Sequence, residues 1–137
     1  MERVSRTEWL MQVAEATARR GTCSRLQVGA IIARDSRIIS SGYNGVPARL
    51  AHCIHTQPDE PCERAVHAEA NAIAFAARMG MATAGCEMYV THEPCLGCAK
   101  LIINSGISAV TWSHSYRIHD GITMLAEAGI ILKEETR

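Results

Sequence analysis

The sequence predicts an α/β fold in a single domain spanning residues 1–137, built as a mixed five-stranded sheet covered by helices on both faces. Three observations predict it. Stretches of helical periodicity alternate with short, β-branched apolar runs, in the order αββαβαβαβ. The length of 137 residues is that of one domain with a single substantial core. An apolar fraction of 47% and a charged fraction of 20% are those of an ordinary soluble globular protein, with no repeat, linker or low-complexity stretch.

Ser5 and Glu8 form an S-x-x-E capping box. Trp9, Leu10, Val13, Ala14 and Thr17 follow at helical spacing and Gly21 is a natural stop, so the first helix runs from about residue 6 to about residue 20. Leu26 to Ala33 reads as a largely buried strand. Asp35-Ser36 is a turn, and Arg37 to Tyr43 completes a hairpin. Gly42-Tyr43-Asn44-Gly45 closes it, and Pro47 prevents continuation. Residues 46 to about 64 form a loop rich in His, Cys and Pro, a length that is uncommon unless functional. Val66, Ala70, Ile73, Ala74 and Ala77 mark a second helix that ends at Gly80. Cys86 to Thr91 is a strand. A third helix starts at the Pro94 corner and reaches about Ser105. Ile107 to Trp112 is a strand, His119 to Ala128 a helix stopped by Gly129, and Ile130 to Lys133 a last short strand.

Charge and composition exclude some functions. The formal net charge is zero, which argues against a nucleic-acid-binding surface. No apolar run is long enough to span a membrane. The start Met1-Glu2-Arg3-Val4-Ser5-Arg6 lacks the apolar core of a signal peptide, so a cytoplasmic setting is expected. There the six cysteines stay reduced and do not form a disulfide scaffold.

The chemistry concentrates in His67-Ala68-Glu69 and Pro94-Cys95-Leu96-Gly97-Cys98. His67, Cys95 and Cys98 are three ligands suited to Zn2+, and three protein ligands leave a fourth position for water. Cys95 and Cys98, at i and i+3 in the first turn of a helix, share one face, and the helix N-terminus favours their thiolates. Glu69, two residues past the histidine, is placed to handle the water's protons as general acid and base. The alternative is a closed zinc knot with a fourth protein ligand, a binding module in which Glu69 is merely a surface residue.

These motifs resemble the zinc-dependent cytidine and deoxycytidylate deaminase superfamily, whose signature is H-x-E followed by P-C-x-x-C. The chain looks closest to the deoxycytidylate (dCMP) deaminases. That resemblance rests on Cys23-Ser24-Arg25 leading to Gln27-Val28-Gly29-Ala30, on Gly42-Tyr43-Asn44-Gly45, on His67 to Ile73, on Pro94 to Lys100, and on Tyr116 followed by His119-Asp120. It implies a three-layer α/β/α fold and zinc-dependent hydrolysis of dCMP to dUMP with release of ammonia. tRNA adenosine deaminases resemble the sequence around both zinc motifs but usually lack the tyrosine and second glycine of the G-Y-N-G turn. Deamination of another cytosine or adenine nucleotide, or of tRNA adenosine, is the alternative within enzymes.

The resemblance also implies roles for individual residues. Asn44 would bind the deoxyribose hydroxyl, and Ala68 would belong to the substrate-binding set. Tyr116 would line or stack near the pyrimidine, and an ordinary core aromatic is the alternative for it. Ser24 and Arg25 would hold the 5′-phosphate, and a solvated strand-end charge is the alternative for Arg25. Gly42, Tyr43 and Gly45 would take part in binding dCTP and dTTP effectors, carried as Mg2+-nucleotides, in a homohexamer. Some relatives carry a structural zinc in the region of Cys23, His52, Cys53, His55 and Cys62. A second Zn2+ would then be held by Cys23, Cys53, Cys62 and a histidine, with His52 preferred and His55 the alternative. Free loop thiols are the other reading. Cys86 is most simply a small core residue. His92 would orient groups around the zinc or sit as a half-buried loop histidine, and His114 has no assigned role.

Overall fold

A computed structural model describes residues 1–57 and 60–136; residues 58 and 59 of the expected long loop lie outside the described residues. The elements are α1 (Arg6–Ala18), β1 (Gly29–Arg34), β2 (Arg37–Tyr43), α2 (Ala68–Arg78), β3 (Glu87–His92), α3 (Leu96–Asn104), β4 (Ala109–His114), α4 (Asp120–Glu127) and β5 (Ile131–Glu134). One five-stranded sheet has the order β2-β1-β3-β4-β5. β1 is antiparallel to both neighbours, whereas β3, β4 and β5 run parallel. The expected mixed sheet and element order are therefore those observed.

Helices cover both faces because the strands alternate. Ile31, Ala33 and Tyr89 point to one side, where Leu10, Met11 and Ala14 of α1 bury them. Ala30, Ile32, Met88, Val90 and Val110 point to the other, against Ala68 and Ala72 of α2, Ala99 and Ile102 of α3 and Leu125 of α4. The buried stripe of α1 is Leu10, Met11, Ala14 and Ala18. Trp9, expected on that stripe, is instead 38% exposed. The Ser5 hydroxyl accepts from the Glu8 N–H at 3.1 Å, which satisfies one unpaired donor of the first turn.

Two glycines set the helix-to-sheet distance. A Cβ on Gly29 would lie 2.2 Å from the Ala14 carbonyl oxygen, and one on Gly42 2.4 Å from that of Ala68. Only a residue without a side chain lets α1 and α2 come this close. The Ser40 hydroxyl donates to the Ala72 carbonyl at 2.6 Å, and the Asn71 amide donates to the Tyr43 carbonyl at 2.8 Å, so α2 is tied to β2 along its length. In the β1–β2 turn Asp35 and Ser36 both have positive φ, 49° and 66°, as a two-residue hairpin matching strand twist requires.

β1 begins at Gly29, three residues later than the apolar run from Leu26 suggests. The reason is local. The Asn44 side chain accepts from the Val28 N–H at 2.7 Å and donates to the Leu26 carbonyl, so these groups are taken before a strand partner could use them. The long loop is closed at its base by a bridge: Gly45 N–H donates to Val66 O at 3.1 Å, and Val66 N–H to Gly45 O at 2.8 Å. No helix among the described residues is long and apolar enough to cross a membrane.

Candidate metal and catalytic site

Two helix starts meet where β3 runs out. His67 is the N-cap of α2, and Cys95, reached from β3 through Glu93 and Pro94, is the N-cap of α3. Cys98 lies in the first turn of α3 and is buried. The His67 Nδ1 atom is 3.5 Å from the Cys95 sulfur and 3.4 Å from the Cys98 sulfur. Nitrogen and sulfur ligands at zinc's usual bond lengths and a tetrahedral angle stand about 3.6 Å apart, so the three fit a zinc ion. Among the described residues this metal-capable group has three members, and Glu69 is not one of them.

The electrostatics suit such an ion. Hydrogen bonds from Cys98 and His67 hold the Cys95 thiol down to about 3. The same pairing, together with burial, pushes the Cys98 thiol well above its ordinary range. The pair thus keeps one proton between them, which a cation taking both sulfurs must displace. Hydrogen bonding to Cys95 raises His67. Glu69, in the first turn of α2, is 5% exposed, and burial pushes its carboxyl up to about 7.

A cavity of about 470 Å³ opens beside these groups, a size suited to a small ligand. His67, Ala68, Glu69 and Cys95 line it, and so do Asn44, Arg25 and Tyr116. Ser24 is exposed and does not line it, nor do Gly42, Tyr43 and Gly45. Gly42 is filled against α2, and a Cβ on Gly45 would meet the Thr22 hydroxyl at 2.8 Å, so both glycines answer to packing. His92 also lines the cavity. Its Nδ1 lies 2.8 Å from the Thr91 hydroxyl, and burial pushes it down to about 4, which keeps the ring neutral. His114, without a role on sequence, packs against His92 with ring centres 4.8 Å apart and the rings tilted by 34°.

The second cluster differs from expectation in one member. Cys23, Cys53, Cys62 and His55 bring their ligand atoms within 4.8 Å of one another. His52, the preferred histidine, is exposed and outside the group. His55 Nε2 instead lies 3.3 Å from the Cys23 sulfur, while its buried Nδ1 has no hydrogen-bond partner. Cys23 and Cys62 also line the larger cavity, so the two groups share a wall. Cys86, as expected, is a fully buried core residue.

Sequence reasoning missed Glu93. It lines the cavity, is 2% exposed, and no spacing rule marks it. The one available signal is its place between a strand end and Pro94. α4 closes over the same corner, where a Cβ on Gly121 would lie 2.2 Å from the Pro94 carbonyl oxygen.

Comparison with known proteins agrees with this geometry. The family model described as the cytidine and deoxycytidylate deaminase zinc-binding region matches residues 4–114. ComE operon protein 2 of Bacillus subtilis (strain 168) is 42% identical over 138 residues, covering 98% of this chain and 73% of that protein. The deoxycytidylate deaminase of Mycobacterium phage D29 is 36% identical over 132 residues, covering 82% of this chain and 97% of that one. The crystal structure of dCMP deaminase from the cyanophage S-TIM5 in complex with dCMP and dUMP superposes with a TM-score of 0.90 at 30% identity, covering 98% of this chain and 100% of that one.

Asn44 has a structural use in addition to any ligand contact. Asn44→Ala leaves the buried Val28 N–H and the Leu26 carbonyl without their partner. The expected loss is about 1–3 kcal/mol of stability, read as a lower urea midpoint with no ligand present. A residue that served only to bind a sugar hydroxyl would leave that midpoint unchanged.

Proposed function

The chain belongs to the cytidine and deoxycytidylate deaminase family, and on that premise we propose that it hydrolyses dCMP to dUMP and ammonia in the cavity beside His67, Glu69 and Cys95. The observation that carries the reading is a buried carboxyl, Glu69, set beside a three-ligand metal group and not spent as a ligand. A zinc ion held by His67, Cys95 and Cys98 would supply Lewis acidity to a water nucleophile. Glu69 takes the proton from that water as the oxygen adds to C4 of cytosine. It gives that proton to N3, then takes the second proton from the hydroxyl now on C4 and passes it to the amino group, so that the C4–N bond breaks, ammonia leaves and the carbonyl of dUMP remains. A closed zinc module would need a fourth protein ligand, and the group has three among the described residues.

Several contacts follow from the same reading. Arg25 lines the cavity from an exposed bend and is the residue for the 5′-phosphate, with Ser24 beside it on the outer side. Tyr116 contributes an aromatic wall to the pyrimidine, Ala68 lies against the substrate, and Asn44 turns its remaining amide hydrogen to the sugar. Cys23, Cys53, His55 and Cys62 hold a second, structural Zn2+ that ties the long loop to the segment after α1. Regulation by dCTP and dTTP with Mg2+, and assembly as a hexamer, are supported by the family resemblance alone.

Glu69→Gln should keep its zinc and its fold while kcat falls by about 10²–10⁴-fold. Elemental analysis and steady-state rates check this, and near-normal turnover would remove Glu69 from the proton-transfer role.

The second metal gives a separate expectation. Wild-type protein and His52→Ala should carry two zinc ions per chain, and His55→Ala about one, since one ligand of four is lost. Zinc lost in His52→Ala and kept in His55→Ala would return the ligand assignment to His52, and one zinc per chain in the wild type would remove the second metal.

Arg25→Ala should weaken dCMP use by about 2 kcal/mol, roughly 30-fold in kcat/KM, and leave deoxycytidine nearly unaffected because it has no phosphate to lose. Equal losses on both substrates would give Arg25 a structural role and shift attention to Arg117.

A further inference from the structure

The segment between β4 and α4, residues 115–119, is an exposed strap that supplies Tyr116 to the cavity lining, and one buried carboxylate ties it down. The Glu93 side chain is 1% exposed. Its Oε1 accepts from the Tyr116 backbone N–H at 3.1 Å, and its two oxygens lie 3.0 and 2.9 Å from His119 Nδ1. An ionised carboxylate only accepts, so the contact suits the His119 tautomer with its proton on Nδ1. The His119 ring itself is 57% exposed. At its other end the strap is fixed by Ser115, whose hydroxyl accepts from Trp112 Nε1 and donates to Glu134, both at 3.0 Å. Between these ties the Tyr116 ring lies stacked on His92, with centres 6.0 Å apart and an interplanar angle of 23°.

We propose that Glu93 is a positioning residue, whose buried carboxylate clamps the 115–119 strap so that Tyr116 and His92 stand as one aromatic wall against the nucleotide. The inference rests on the dCMP reading of the cavity and assigns what holds its wall. Two features support a clamp over incidental packing. A carboxylate this buried is unfavourable unless its oxygens are paired, and here the Tyr116 N–H and His119 that pair with it both belong to the strap. The clamp is also short-tethered: Glu93 is two residues from Cys95, on the chain that delivers a metal ligand. Ligand and aromatic wall are thus referred to the same stretch of backbone, which fixes their separation. Enzymes lose about 10²-fold when a reacting group is displaced by an ångström, so this separation matters to rate.

A double-mutant cycle tests it. Glu93→Ala and Tyr116→Ala should each lower kcat/KM for dCMP by about 10²-fold, and the double variant should fall no further than the worse single one. Glu93→Gln, which keeps an acceptor for the Tyr116 amide, should recover most of the loss. If Glu93→Ala does not fold, His119→Ala removes only the exposed partner and enters the same cycle. Losses that multiply, or a Gln variant no better than Ala, would overturn the proposal. Limited trypsin cleavage after Arg117 gives a readout that needs no turnover: it should speed up in Glu93→Ala and His119→Ala and stay close to wild type in Glu93→Gln, and unchanged cleavage in Glu93→Ala and His119→Ala would also overturn the clamp. The wild-type rate on dCMP separately checks the parent reading. A wild-type protein silent on dCMP, with Glu93-dependent cleavage, would sink the substrate and keep the clamp.

Discussion

Two helix N-termini are brought together at the end of the central strand β3, and the positive field they create there is the constraint that orders the site. α2 begins after His67 and α3 after Cys95, and neither N-cap side chain bonds the first-turn amides of its helix. Unpaired N–H groups and the aligned peptide dipoles favour negative charge at both ends. The chain answers with a thiolate at Cys95, a second thiol at Cys98 and a carboxyl at Glu69. A dication held there would meet these negative groups. The missing side chains of Gly42 and Gly121 serve the same end, because they let α2 and α4 pack closely enough for the termini to meet.

How much of this was legible in the sequence depended on whether a feature was periodic, local or distant. Strand and helix types followed from periodicity, and all nine elements occur in the expected order. Their edges moved where side chains took over backbone partners, as Asn44 does for Leu26 and Val28. The grouping of His67, Cys95 and Cys98 was legible because H-x-E and P-C-x-x-C are local spacings read off helix starts. The second cluster was legible only in part. Its members come from residues 23, 53, 55 and 62, and no local spacing distinguishes His52 from His55; the fold does, by burying one and exposing the other. Glu93 and His119 are 26 residues apart and meet only once α4 has folded over the Pro94 corner, so their pairing had no trace in the linear pattern.

The two metal-capable groups are not independent parts of the molecule. Cys23 and Cys62 face the second cluster and at the same time form part of the cavity wall. An ion that ordered the long loop would therefore also shape the pocket, and the stability of that loop becomes a property of substrate binding. The fully buried α/β core, by contrast, is spread over both faces of the sheet and depends on neither group.

The bridge between Gly45 and Val66 has a consequence for how the chain can vary in length. It seals the loop at its root, so residues added or deleted within 46–61, away from Cys53 and His55, act mainly through the closure entropy of an already closed ring. Each doubling of such a ring costs about 0.6 kcal/mol. Immediately beyond the bridge the tolerance ends. One residue inserted between His67 and Glu69 would turn the carboxyl by about 100° around the helix relative to the imidazole. Insertions and deletions should therefore accumulate on one side of Val66 and be barred on the other, a boundary drawn by two backbone hydrogen bonds.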